Sequence, residues 1–330
     1  MFIIENYSTA VFFCLITMLC WGSWANTQKL TANNWRFELF YWDYVLGILL
    51  TSFILAITLG SHGEKGRDFL RDFQQASNEN IGSAIIGGII FNAANILLTA
   101  AMDIAGMSVA FPVGIGLALV IGVIVNYLDH PLGNGILLAI GVGLITLAIL
   151  LNAKVYRNSS ESAKVSTKGL ALSVISGLLM GLFYKYVANA MFPDFEVPEV
   201  GKLSPYTAIF FFAIGILLSN FIFNTILIYR PFVGDSLNYK AYWQGSFKNH
   251  SFGVLGGTIW CLGMAFNIIA SGKAGPAISY GLGQGATIVA AIWGIYVWKE
   301  FKNASKSTNV LLNIMLLFYL LGLGMIILAR

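Results

Sequence analysis

Charge is what this chain has least of. Lys, Arg, Asp and Glu make up 10% of its 330 residues, against about 25% in an ordinary soluble domain. That scarcity excludes a soluble enzyme, a disordered protein and a nucleic-acid binder, each of which needs a charged, hydrated surface. Cysteine is scarce too. Cys14, Cys20 and Cys261 stand in apolar stretches without the spacing of a disulfide framework or a metal site. They read as small buried apolar side chains. The three histidines, His62, His130 and His250, fall at or near segment ends. HExxH, nucleophile-elbow and Walker-loop motifs are missing, so no catalytic residue, cofactor or metal is expected. The stretch from Met1 to Tyr7 lacks the basic region of a signal peptide and is expected to lead into a first membrane span.

What is present is apolar. Hydrophobic residues make up 57% of the chain, and the mean hydropathy is +0.76. A bilayer core of about 30 Å takes about 20 helical residues to cross. Apolar runs between breakers predict spans over 9–30, 37–59, 81–104, 107–128, 134–152, 168–192, 205–229, 250–272, 275–298 and 308–329. The expected fold is an all-α membrane protein with ten transmembrane helices. The connections near 105 and 273 are short enough to make tight hairpins of spans three and four and of eight and nine. Between spans two and three, Phe69, Leu70 and Phe73 share a helical face with charges opposite, which predicts a short helix on the membrane surface.

The basic residues predict orientation. The connections after odd-numbered spans hold twelve: Lys29, Arg36, Lys154, Arg157, Lys164, Lys168, Arg230, Lys240, Lys248, Lys299, Lys302 and Lys306. The other side holds six, namely Lys65, Arg67, Arg71, Lys202, Lys273 and Arg330. The bias places both termini outside a cell (inner) membrane, with the odd-numbered connections in the cytoplasm.

The chain also resembles itself. Gly47-Ile-Leu-Leu-Thr-Ser-Phe-Ile54 matches Gly215-Ile-Leu-Leu-Ser-Asn-Phe-Ile222 at an offset of 168. At an offset of 169, Gly87-Gly88 meets Gly256-Gly257, Ala105-Gly106 meets Ala274-Gly275, and Gly114 and Gly116 meet Gly283 and Gly285. Gly22 stands opposite Gly181 at 159. Five spans per copy is an odd number, so the second copy enters the membrane from the opposite side. The expected organisation is two inverted five-helix repeats, 1–152 and 168–330, joined by a cytoplasmic linker at 153–167. Transporters that work by alternating access are built this way, with a site near the midplane.

The five-plus-five layout with tight hairpins resembles the drug/metabolite transporter superfamily. Within it, two stretches resemble the glucose/ribose porter and rhamnose transporter branch. One runs from Asn92-Ala-Ala-Asn-Ile through Gly106-Met-Ser-Val-Ala-Phe-Pro-Val-Gly-Ile-Gly116. The other runs from Gly275-Pro-Ala-Ile-Ser-Tyr-Gly-Leu-Gly-Gln284 to Trp298-Lys-Glu-Phe301. Trp21-Gly-Ser-Trp24 is similar to the start of the plant ureide permeases. The resemblance implies a secondary transporter of small polar solutes, commonly sugars and often proton-coupled, whose cavity is lined by spans one, three, six, eight and nine.

Polar side chains inside those spans are costly in a bilayer and need a reason. They are Trp21, Trp24 and Asn26; Asn92 and Asn95, three apart on one face; Lys185 and Asn189, four apart; Trp260 and Asn267; and Tyr280 and Gln284. Amides beside indole faces suit a polyol or a ureide, and each of these residues is a candidate for solute binding. Cross-helix bonding is the competing role for the amides. Asp43, inside span two beside Tyr41 and Trp42, is the candidate for a proton-coupling carboxylate. The expected partners are a small polar solute, the lipid bilayer and protons. Sugar transport comes first, a ureide, nucleobase or exported metabolite second, and a membrane enzyme or receptor last.

Overall fold

The computed structural model describes residues 1–32, 35–105, 107–159, 166–297 and 306–330. Gly106, Ser160, Lys164, Lys299 and Lys302 lie outside the described residues. Among the described residues, fourteen α-helices follow one another: α1 (Tyr7–Ser23) and its continuation α2 (Asn26–Lys29), α3 (Phe37–Ile57), α4 (Phe69–Gln75), α5 (Asn78–Ala105), α6 (Met107–Asp129) and α7 (Gly135–Ser159). Then come α8 (Thr167–Ala190), α9 (Pro205–Tyr229), α10 (Tyr239–Trp243), α11 (Phe247–Ala274), α12 (Pro276–Gln284), α13 (Ala286–Ile292) and α14 (Lys306–Leu328). Among the described residues, nine spans are long and apolar enough to cross a bilayer, and α6 adds a shorter apolar stretch, Val113–Asp129. The protein is an all-helical, multi-pass membrane protein.

The helix ends are written in local chemistry. Asn6, Ser166, Ser204 and Ser246 each accept a hydrogen bond from the backbone N–H three residues on. This satisfies donors that the first turn leaves open. Pro205 and Pro276 occupy first-turn positions, where a missing N–H costs nothing. Gly275 makes the tight α11–α12 turn at φ +81°, a conformation that disfavours any side chain.

Two departures from regular helix were not legible in the sequence. The first span interrupts its α-helical bonding at Trp24–Ala25, where the N–H groups of Thr27 and Gln28 reach back three residues rather than four. The ninth breaks at Gly285 between α12 and α13, then ends in a π-helical turn at Trp293–Val297. Irregular backbone at membrane depth is tolerated where it lines a cavity rather than lipid.

The expected short helix is α4, capped by Asp68. It docks on α9 rather than lying free, with Phe69 5.5 Å from Phe210 and Phe73 5.5 Å from Phe211. Leu70 points outward, 68% exposed. Buried Asp72 fixes the clasp, accepting from the Ser204 backbone N–H at 2.7 Å and from Arg67 at 3.1 Å. At the other end of the bundle α10, missed in the sequence, clasps α3 through Tyr242.

Helix pairs recur at the offsets read from the sequence. α5 packs on α8 as α11 packs on α1, and α5 on α9 as α11 on α3. α6 meets α8 as α12 and α13 meet α1, while α3 with α9 and α7 with α14 close the ring. The glycines carry the closest approaches. A Cβ on Gly47 would strike the Val254 carbonyl, as one on Gly215 would strike that of Ile85. Gly257 lies against the Tyr44 carbonyl as Gly88 lies against that of Phe212. Such contact between backbones needs residues without side chains. On the outside, Leu50, Phe53 and Ile54 of α3, Leu218, Phe221 and Ile222 of α9 and Leu317, Leu320 and Leu321 of α14 are exposed. An apolar surface of that extent belongs in lipid. The termini sit together at one end: the Tyr7 hydroxyl donates to the Ile327 carbonyl at 2.6 Å, and the Met1 ammonium donates to the Lys65 carbonyl at 2.7 Å.

Candidate solute site

Midway along the helices lies a cavity open on one side, with about 560 Å³ of space when the solvent at its mouth is included. Its wall is aromatic and aliphatic: Trp21 and Trp24 of the first span, Phe91 and Leu98 of α5, Ile115 of α6, Met180 and Phe183 of α8, and Trp260 of α11. Its polar groups are Asn95, Gln284 and Thr287. Among the described residues, no charged side chain lines it.

The aromatic walls brace one another. The Trp21 and Trp260 rings stack at 5.9 Å and 13°, and the Trp21 Nε1–H donates to the Trp260 carbonyl at 3.2 Å. Phe91 lies 4.3 Å from Trp260, and Tyr44 lies 4.6 Å from Trp24. The Trp293 Nε1–H donates to Ser23 Oγ at 2.8 Å, tying the π turn to the end of α1.

Of the predicted binding residues, Trp21, Trp24, Asn95, Trp260 and Gln284 line this cavity. The other candidates lie off this cavity wall. Asn92 is fully buried behind Asn95, donating to Ser219 Oγ at 2.9 Å and accepting from the Tyr41 hydroxyl at 3.0 Å. Asn267 donates to the Ser279 carbonyl at 2.7 Å, holding α11 to α12. The Tyr280 hydroxyl reaches the carbonyls of Met180 at 3.0 Å and Ala118 at 3.2 Å. Asn26 donates to the Ser23 carbonyl at 3.0 Å. Lys185 and Asn189 lie toward the end of the bundle that holds the termini. There Asp129 accepts from Lys185 Nζ at 2.9 Å and from Asn189 Nδ2 at 3.1 Å, and His130 meets Asn189 Oδ1 at 2.9 Å. The physical reason is common to all: a polar group in a low-dielectric interior takes the nearest partner, and most find one on a neighbouring helix.

Asp43 is also away from the cavity wall, 2% exposed at the opposite end of the bundle. Its carboxylate accepts from the Tyr242 hydroxyl at 2.7 Å and lies 2.9 Å from His250 Nδ1. Burial and the bond to Asp43 push the Tyr242 hydroxyl above its ordinary pKa. Trp35 covers the pair, 5.1 Å from the His250 ring. His250 was read as a segment-end histidine; only folding brings it to Asp43. Thr287 carried a sequence signal, one turn beyond Gln284. Phe91, Leu98, Ile115, Met180 and Phe183 carried none, because a cavity-facing apolar residue and a lipid-facing one look alike in sequence.

Membrane-length helices around an aromatic-walled cavity with carboxamides in its lining are the build of a solute transporter. The ureide permease family model matches residues 40–168 and 161–329, and the chain belongs to that family. Ureide permease 1 of Arabidopsis thaliana is 25% identical over 99% of this chain and 98% of its own length. A Listeria innocua protein named for sugar uptake is 24% identical over 72% of this chain and 76% of its own. One solved crystal structure covers 96% of each chain at a TM-score of 0.62 and 13% identity, a likeness of fold alone. The relatives' names are those of transporters, not enzymes. The family matched is the one named in the alternative that the sequence reading placed second, behind sugar transport.

Proposed function

We propose that this protein is a secondary transporter that carries a small neutral ureide through the central cavity by alternating access. One observation carries the reading: five aromatic side chains and the carboxamides of Asn95 and Gln284 surround a cavity in which no described lining residue is charged. A cyclic ureide is flat and uncharged, and C=O alternates with N–H around its edge. Its faces suit indole and phenyl rings, and its edge suits carboxamides, which both donate and accept. A sugar can use the same groups, and the Listeria relative keeps that reading second.

Matched glycine contacts and recurring helix pairs support two inverted five-helix repeats about this cavity. In the proposed orientation both termini are outside, so Asp43, His250 and Tyr242 close the cytoplasmic end. We assign Asp43 to the proton that drives uptake. The test is uptake into vesicles of the purified protein, with hydantoin, glucose and alanine in parallel. Saturable hydantoin uptake is expected; uptake of glucose alone rejects the ureide reading, and uptake of alanine alone rejects both.

A further inference from the structure

A chain of hydrogen bonds runs from α9 to the cavity, and its direction is forced. Ser219 Oγ lies 2.8 Å from the Gly215 carbonyl and 3.0 Å from that of Ile216. Carbonyls only accept, so the Ser219 hydrogen points at them and its oxygen is left to accept. Asn92 Nδ2 reaches that oxygen at 2.9 Å and the Ile216 carbonyl at 3.3 Å. Both partners are acceptors, so this end of Asn92 is the NH2. Asn92 Oδ1 then faces the Tyr41 hydroxyl, which donates to it at 3.0 Å. With its hydrogen committed, the Tyr41 oxygen accepts from Asn95 at 3.0 Å. The NH2 of Asn95 is thereby turned away, and Oδ1 is the end presented to the cavity. An isolated asparagine is free to exchange its two ends, which have the same shape. Here the exchange would place two acceptors, or two donors, face to face. All four side chains are buried: Tyr41 1%, Asn92 0%, Asn95 5% and Ser219 5% exposed. Water is therefore poorly placed to repair a reversed link.

We infer that Tyr41 is a positioning residue that holds Asn95 as a hydrogen-bond acceptor in the cavity wall, selecting solutes with an N–H or O–H donor there. The inference rests on the cavity being the solute site. Gln284 plays the opposite part. Neither end of its carboxamide has a partner among the described residues, so it turns to donate or accept as the solute requires. A fixed acceptor beside an adaptable amide matches an N–H next to a C=O, the repeating edge of a ureide. Methylating the hydrogen that meets Asn95 removes the donor and leaves Oδ1 buried without a partner, whereas methylation elsewhere need not.

The test is uptake into vesicles of the full-length protein, comparing hydantoin with 1-methylhydantoin and 3-methylhydantoin, and glucose with its deoxy analogues. In the wild type, removing one donor is expected to raise KM about 10- to 100-fold, as losing a bond to a buried acceptor does. In Tyr41→Phe, Asn95 loses its anchor, and the discrimination is expected to fall severalfold while kcat for the parent solute stays near wild type. Ser219→Ala cuts the chain at its far end and is expected to act in the same direction more weakly. This second variant keeps the question open to test if Tyr41→Phe does not fold. A purely structural role would lower the amount of active protein and leave the selectivity ratio unchanged. An equal KM for a parent solute and all its donor-deleted analogues overturns the inference, as does an unchanged ratio in both variants. If glucose alone is carried, the ureide reading fails and the acceptor is judged on the deoxy series. Uptake of neither class overturns both.

Discussion

Replacing Gln284 by methionine should improve the protein's stability and damage its transport. Gln284 ends α12, is 6% exposed and lines the cavity. Among the described residues no group bonds its Oε1 or Nε2, although its backbone carbonyl accepts from Thr287 Oγ1 at 3.3 Å. The carboxamide opens on the cavity, and an amide without a protein partner costs up to about 1–3 kcal/mol where water does not reach it. Water entering from the cavity mouth offsets part of this, leaving a gain of about 1 kcal/mol for an apolar side chain of the same length. The solute, once bound, loses the bond or bonds that Gln284 supplies. At about 1 kcal/mol for each neutral bond, KM should rise about 5- to 30-fold. Uptake kinetics and thermal unfolding, measured on one preparation, read both effects. An unchanged KM would remove Gln284 from the site. A lower unfolding temperature would show that its carboxamide is bonded in the resting protein, and the reasoning above would fail.

Four further outcomes are expected. Asp43→Asn keeps the shape of the side chain and removes its titratable proton, so pH-driven accumulation should vanish while solute exchange across the vesicle membrane persists; unaltered accumulation would return Asp43 to a structural role. Gly257→Val drives a side chain into the Tyr44 carbonyl and should cost more than the usual 1–3 kcal/mol of overpacking, because backbone cannot step aside; a folded yield equal to wild type would refute the close α3–α11 contact. At the end that holds the termini, Glu196 lies 3.2 Å from Lys273 and 3.3 Å from Lys65, which hold its carboxyl below the usual range. A lowered folded-state pKa contributes stability above the unfolded value of about 4.3, lost as pH falls through the folded value. Glu196→Gln should therefore unfold more easily than wild type at pH 7 and equally at pH 2, and a gap that persists in acid would contradict the pairing. Finally, Ser160→Cys should resist impermeant labelling from outside intact cells, since the proposed orientation puts the connection between α7 and α8 in the cytoplasm; efficient labelling reverses the orientation.

The spans were legible because bilayer thickness sets a length and apolarity that no other constraint in the chain imitates. The helix starts at Tyr7, Pro205 and Phe247 lie within a few residues of those read from breakers, since Asn6, Ser204 and Ser246 announce them. The paired glycines were legible as well: where backbones touch, only glycine fits, so the contact leaves its mark in the residue itself. The destination of each polar side chain was not. Asn92 and Asn95 share a face and looked equivalent, yet one anchors the other, because the hydroxyls of Ser219 and Tyr41 happen to flank the first. Lys185 and Asn267 looked as well placed as Gln284, but Asp129 and the Ser279 carbonyl reach them across helix contacts that only the packed bundle creates. His250 joins Asp43 from 207 residues away for the same reason. Sequence determined which side chains must find a partner in the membrane. The three-dimensional arrangement decided which found one in a neighbouring helix and which were left facing the cavity.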